Sequence, residues 1–306
     1  MPPASIGRLT CLVFGTLALL VLGPACGSRR IPGAPDVGAQ SDGIAVDQRP
    51  PLPDQGLTPC PESCPAPAGN TICLAGRVSQ LPGLAARWSG LITSPTPLND
   101  ANGAAFTIHD PIAFVTNPTG APPLASATVD ASGCFVAKQV TIPFSGFFAI
   151  GVDDLPASSP DRWVLTVNGV TPGMGQNLKG LEIGAVAISE AKAWSGELGA
   201  DVVQQGAMIM VFLDDQGAAV KGVTPVLAGQ PPPWTGSGVY FFADDIRTPP
   251  YFDKGASATS SSGMVLVTKA AVKSYWGTHT SCKFKTEVGL SAPGTLALRL
   301  FRASGC

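Results

Sequence analysis

Ala207-Met208-Ile209-Met210-Val211-Phe212-Leu213-Asp214-Asp215-Gln216-Gly217-Ala218-Ala219-Val220-Lys221-Gly222-Val223 is an apolar strand, a turn and a second apolar run. In Asp214-Asp215-Gln216-Gly217 the aspartate can accept hydrogen bonds from the turn backbone and the glycine tolerates a positive φ, so the segment predicts a hairpin. Asp130-Ala131-Ser132-Gly133, between Leu124–Val129 and Cys134–Ile142, repeats the device.

The same alternation of short apolar runs and turns extends in both directions, which is an all-β signature. Toward the N-terminus the predicted strands are 72–78, 105–108 continuing through 112–116, 124–129, 134–142, 147–152, 163–167 and 181–188; a Pro/Gly-rich loop follows the first. Toward the C-terminus they are 207–213, 218–227, 239–243, 256–262, 264–268, 283–290 and 295–301. One helix interrupts the pattern: Ala187, Ala191, Trp194 and Leu198 recur at helical spacing, with Ser189 as N-cap, Gly199 as stop and Trp194 as core anchor.

Composition agrees. The 306 residues include 30 prolines and 36 glycines, and only 13% are charged, which argues against a helix-rich chain. A formal net charge of -2 lacks the basic excess that nucleic-acid binding needs. The expected fold is therefore all-β: two tandem β-sandwich modules, 60–186 and 201–306, joined by a short helical connector at 187–200.

Here a resemblance enters. The hairpin at 207–223, with Ala218-Ala219-Val220-Lys221-Gly222-Val223 after its turn, resembles the opening of carboxypeptidase regulatory-like domains. Ala258-Thr259 with Ser262-Gly263-Met264-Val265 fits the later part of that pattern, as do Ala127-Thr128-Val129-Asp130, Ser132-Gly133-Cys134-Phe135 and Pro143-Phe144-Ser145-Gly146 in the first module. The resemblance implies transthyretin-like, or Ig-like, sandwiches.

Ahead of the modules lies an address. Leu9 to Gly23 is an uncharged run of fifteen residues, signal-peptide length and short of the about 20 apolar residues that span a bilayer. It leads into Leu22-Gly23-Pro24-Ala25-Cys26-Gly27, which resembles the lipobox of bacterial lipoproteins, with Gly23 where the family usually has leucine. The resemblance implies a signal peptide at 1–25 and lipidation of Cys26, the acyl chains anchoring at ~0.8 kcal/mol per methylene. Gly27 after it implies the outer membrane of a Gram-negative envelope. Ordinary secretory cleavage nearby is the alternative. Residues 27–59 hold six prolines, five glycines, four aspartates and no aromatic residue, the composition of a disordered tether.

Six further cysteines, Cys60, Cys64, Cys73, Cys134, Cys282 and Cys306, are an even set suited to disulfides in an oxidising compartment. Their distribution favours Cys282 with Cys306, and pairing of the other four among themselves. Cys60-x3-Cys64 fits the spacing of a zinc half-site, but no second close pair follows, so no metal is expected.

Candidate chemistry is sparse. His109 and His279 are the only histidines; neither lies in H-E-x-x-H, and no G-x-S-x-G or G-x-x-x-x-G-K-[ST] occurs. His279 and Ser281 could share a strand face, yet no orienting carboxylate is near in sequence. The pairs Asp153-Asp154, Asp214-Asp215 and Asp244-Asp245 follow apolar runs, where a carboxylate caps a turn; calcium, which takes roughly six to eight oxygens, is the alternative. Trp234, Tyr251 and Trp276 lie near Pro- or Gly-rich turns, where an aromatic either caps a sandwich end or stacks on a sugar or peptide. No catalytic residue and no cofactor are expected. The expected protein is a non-catalytic, lipid-anchored envelope protein whose partners are the membrane and an envelope protein or glycan. A carbohydrate-binding lipoprotein and a hydrolase with an unrecognised site are the alternatives.

Overall fold

The computed structural model describes residues 60, 63–92, 104–117, 120–153, 162–171, 176–231, 234 and 237–306. The expected signal peptide, the expected lipidation site Cys26 and the expected tether lie outside the described residues. In chain order the elements are β1 (Thr71–Gln80), α1 (Leu81–Trp88), β2 (Ala105–His109), α2 (Pro111–Thr116), β3 (Ala125–Thr128), β4 (Cys134–Thr141), β5 (Phe148–Asp153), β6 (Trp163–Val164), β7 (Thr166–Val170) and β8 (Leu178–Ala187). Then follow α3 (Ile188–Leu198), α4 (Val202–Gln205), β9 (Ala207–Leu213), β10 (Thr224–Leu227), β11 (Val239–Phe242), β12 (Phe252–Asp253), β13 (Met264–Thr268), β14 (Lys273–Thr278), β15 (Glu287–Gly289) and β16 (Leu296–Arg302). The chain is mainly β, with few helices, all short.

Three sheets result, ordered β4-β1-β8-β6, β10-β14-β15 and β12-β11-β13-β9-β16-β7-β5-β2-β3. The nine-stranded sheet is the spine. Over its β2–β5 part the four-stranded sheet closes a core in which Ile72, Leu74, Phe135 and Val140 meet Phe106, Ile108, Phe148 and Ile150. Phe106 and Phe135 stack at 4.0 Å. Over the β9–β13 part, alternate residues separate two further cores. Met208, Met210 and Phe212 pack beneath Leu227 and Tyr275 of the three-stranded sheet. Ile209, Val211 and Leu213 pack on Leu84 and Trp88 of α1 and Trp194 of α3. Every residue of β9 is buried because both of its faces are covered.

The predicted boundary between modules is crossed. β16 pairs in parallel with β9 on one side and β7 on the other, so strands from both sides of residues 187–200 share one sheet. Helix α3 is therefore not a joint between separate sheets. It lies against the spine, its anchor Trp194 buried edge-on to Phe242 at 5.2 Å.

Both Asp-x-x-Gly turns form, with matching hydrogen bonds. Asp130 Oδ1 accepts from the N–H groups of Ser132 and Cys134 at 2.8 and 2.9 Å, and Asp214 Oδ1 from Gln216 and Ala218, both at 2.8 Å. Gly133 and Gly217 supply φ values of 76° and 82°. Neither turn makes a hairpin within one sheet. Each leads from a strand of the nine-stranded sheet to one of the smaller sheets, β3 to β4 and β9 to β10, and only an isolated Leu213–Ala219 bridge remains of the expected second hairpin.

Four local expectations are corrected. The Pro/Gly-rich loop after β1 is helix α1: Pro82 lies in its first turn, where no N–H is needed, and Leu81, Leu84, Ala85 and Trp88 form its buried face. Residues 112–116 are helical, because Asp110 caps the Ile112 N–H at 2.8 Å and Pro111 presets the first helical φ. Helix α3 begins one residue before Ser189, with the Ala187 N–H donating to Glu190 Oε2 at 3.1 Å. Residues 256–262 are loop rather than strand.

Candidate functional site

The loop at 253–260 forms the wall of an open cleft of about 1180 Å³ whose surface is more apolar than polar. Its framework is built from backbone hydrogen bonds to side chains. Thr259 Oγ1 donates to the Val220 carbonyl at 2.8 Å and accepts the Val223 N–H at 2.9 Å, tying the loop to the turn that carries Lys221 and Gly222. Glu197, at the end of α3, accepts the N–H groups of Tyr251 and Phe252 at 2.8 and 3.1 Å, securing the chain that follows the cis Pro249-Pro250 peptide. Asp244 accepts from the hydroxyl and N–H of Ser261 at 2.6 and 2.8 Å. Those two bonds hold its carboxyl below the usual carboxylate range, against a smaller opposing effect of burial.

The lining combines Glu197, Asp244 and Asp253 with Lys221, Lys254, Ser257 and Ser260 over an apolar patch from Pro249, Pro250 and Phe252. All three carboxylates accept backbone N–H groups, Asp253 from Gly255 at 3.0 Å. For Asp244 those bonds favour the charged form, which makes it a poor general base. The arrangement offers a ligand charged groups and hydroxyls beside an apolar patch.

The histidines lie elsewhere. His109, at the end of β2, is buried beside Phe114 at 5.0 Å, and its Nδ1 has no hydrogen-bond partner among the described residues. Burial lowers its pKa, opposed by the carbonyls of Pro122 and Ala121. His279 Nδ1 accepts the N–H groups of Ser281 and Cys282, both at 3.2 Å, so its lone pair closes a turn. The Ser281 hydroxyl instead meets that of Thr280 at 3.5 Å.

The three aromatic candidates do not share a platform. Trp234 packs at 5.7 Å on Tyr275, whose buried hydroxyl has its pKa pushed up to about 12. Tyr251 packs on the helix-side core, across the spine from Trp234. Trp276 is half-buried and pairs with Val226 across β14 and β10. Only Tyr251 adjoins the cleft, through its neighbours Pro250 and Phe252.

The six cysteines form Cys60–Cys134, Cys64–Cys73 and Cys282–Cys306, with Cα separations of 5.5, 5.6 and 4.2 Å. Cys60 and Cys64 thus belong to different bridges, which removes the zinc half-site. Asp214 caps its turn, Asp245 pairs with the Arg247 guanidinium at 2.7 Å, and Asp244 holds Ser261. Asp154 lies outside the described residues. No group of three or more metal-ligating side chains occurs among the described residues. The cleft itself was not anticipated from sequence, because its lining comes from four separated segments.

No family model matches the chain, and no curated protein matches it. Among solved structures it is similar to the shaft pilin spaA of Lactobacillus rhamnosus GG, at 15% identity and a TM-score of 0.24, covering 77% of this chain and 99% of that one. It is also similar to a streptococcal ancillary pilin, at 10% identity and a TM-score of 0.21, covering 76% and 68%. Superposition at these scores does not define a shared fold.

Proposed function

We propose that the protein is a non-catalytic, lipid-anchored cell-envelope protein that presents its disulfide-stapled β unit for binding, adhesion or assembly. The supporting observation is the pairing of all six cysteines that follow Cys26, since such bridges persist in oxidising compartments. Their placement fits a tethered protein. Cys60–Cys134 and Cys64–Cys73 staple the chain that follows the tether onto β4 and β1, so tension on the anchor meets covalent bonds before it can peel β1. Palmitate incorporation into wild type and Cys26→Ser tests the anchor: label is expected in the first alone, and equal labelling refutes the proposal.

Glycan recognition is a second reading, favoured by the hydroxyl- and charge-lined cleft rather than by Trp234, which is engaged with Tyr275. Retention on insoluble polysaccharide, reduced in a Lys221→Ala/Lys254→Ala variant, would support it. Equal retention of the two proteins would exclude the cleft.

A further inference from the structure

We propose that Cys282–Cys306 is a redox latch that holds strand β16 in place, so that closure of the nine-stranded spine depends on oxidation. The inference goes beyond the anchoring proposal and does not rest on it.

Within the sheet, β16 is the only strand joining β12-β11-β13-β9 to β7-β5-β2-β3. Its two ladders differ in length. Leu296 to Arg302 all pair with β9, opposite Ala207 to Leu213, whereas β7 reaches only Leu296, Ala297 and Leu298. Among the described residues, the β7 pairs therefore end at Leu298 while those to β9 continue to Arg302. Both ladders are parallel, the slightly weaker geometry per residue, and neither is closed by a local hairpin.

The latch acts at the end of β16 beyond the β7 pairs. Beyond Arg302 the chain is held by the Ala303 N–H on the Leu213 carbonyl at 2.9 Å. Reciprocal bonds to the segment after Cys282 follow, from the Ser304 N–H to the Lys283 carbonyl at 2.8 Å and from the Lys283 N–H to the Gly305 carbonyl at 3.2 Å. This short ladder and the disulfide bracket the same segment. The bridge closes a loop with a sequence separation of 24 that contains β15 and β16. Such a closure restricts the open chain and favours the docked strand by about a hundredfold or more in the chain-entropy picture.

The two sulfurs differ in access. Cys306 is exposed, whereas Cys282 is buried. Oxidation can therefore begin at Cys306: its thiolate attacks the disulfide of an oxidising thiol–disulfide exchange protein, forms a mixed disulfide and expels one thiolate of that protein. The Cys282 thiolate then attacks the Cys306 sulfur and expels the second. Two protons and two electrons pass to the exchange protein, which leaves as a dithiol.

Amide hydrogen exchange on the full chain tests the latch. In Cys282→Ser/Cys306→Ser, exchange in Leu296–Arg302 is expected to rise about tenfold or more, with smaller rises in the facing residues of β9 and β7. Strands β1 and β4, stapled by the other bridges, keep their protection. Cys64→Ser/Cys73→Ser is the comparison, and it leaves β16 unchanged. If the first variant does not fold, wild type is treated with graded thiol and the alkylation of Cys282 and Cys306 is followed beside exchange in β16. Full protection of β16 with both sulfurs alkylated, or equal loosening of β16 in the Cys64/Cys73 variant, overturns the proposal.

Discussion

Asn168 and Gly184 exchange two hydrogen bonds between different sheets. The Asn168 side-chain amide donates to the Gly184 carbonyl and accepts the Gly184 N–H, both at 2.9 Å. The side chain of β7 thus takes the place of a neighbouring strand along the edge of β8, beyond the reach of the two-residue β6. Thr166 extends the device, its Oγ1 accepting the Val186 N–H at 3.2 Å and donating to the Val164 carbonyl at 2.9 Å. Asn168 and Thr166 are both buried, so the four-stranded sheet is fastened to the spine by polar groups that water does not reach.

Asn168→Ala leaves a backbone donor and acceptor of Gly184 buried without partners. Each unsatisfied group costs about 1–3 kcal/mol, so a loss of roughly 2–6 kcal/mol is expected. Denaturant unfolding measures it, and a loss below about 1 kcal/mol would mean that water or a shifted backbone replaces the amide.

Removing disulfides singly is expected to rank with the loop each closes. Cys60→Ser/Cys134→Ser opens a loop with a separation of 74 and Cys64→Ser/Cys73→Ser one of 9. The chain-entropy relation gives about 4.5 and about 2.5 kcal/mol respectively. Thermal unfolding of the two variants under identical conditions checks the order.

Glu197→Ala frees the N–H groups of Tyr251 and Phe252 at the cleft wall. A loss of about 1–3 kcal/mol is expected, with faster proteolysis confined to residues near Pro249-Pro250. Glu197→Gln keeps one acceptor oxygen and should lose less. Equal proteolysis of all three proteins would show that the wall does not depend on this carboxylate.

Acidification should destabilise the fold through His109. Its folded pKa lies below the ordinary 6.5 because burial disfavours the charged ring. The unfolded chain therefore binds the proton first, and the stability His109 contributes is complete above 6.5 and lost as pH falls from there through the folded value. Glu190 runs oppositely: burial raises its pKa above 4.5, so its contribution is present below 4.5 and lost as pH rises through the folded value. Melting temperature measured between pH 7.5 and 5.5 should fall in wild type and fall less in His109→Gln; parallel slopes would exclude His109 as the source.

What was legible in the sequence follows from how local each cause is. The turns at Asp130 and Asp214 form because one carboxylate and one glycine suffice to make them. The bridge between Cys282 and Cys306 was also readable, their partners lying close along the chain. Helix α1 is read from sequence as a loop because of Pro82 and Gly83, although Leu81, Leu84, Ala85 and Trp88 stand at helical spacing. The tolerance of proline in a first helical turn decides the matter. Likewise Asp110-Pro111 was a helix start rather than an interruption of a strand. The seven apolar residues of β9 do not alternate, which was a sign that both of its faces are covered.

By itself, then, the sequence determined where most strands begin and end and which turns separate them, since those depend on backbone preferences within a few residues. Only the tertiary structure decided which strands become neighbours: that β16 joins β9 to β7, that both aspartate turns cross between sheets, and that four distant segments enclose one cleft. Strand edges are chemically alike, and the choice among them is made by the faces that side chains remote in sequence can bury together.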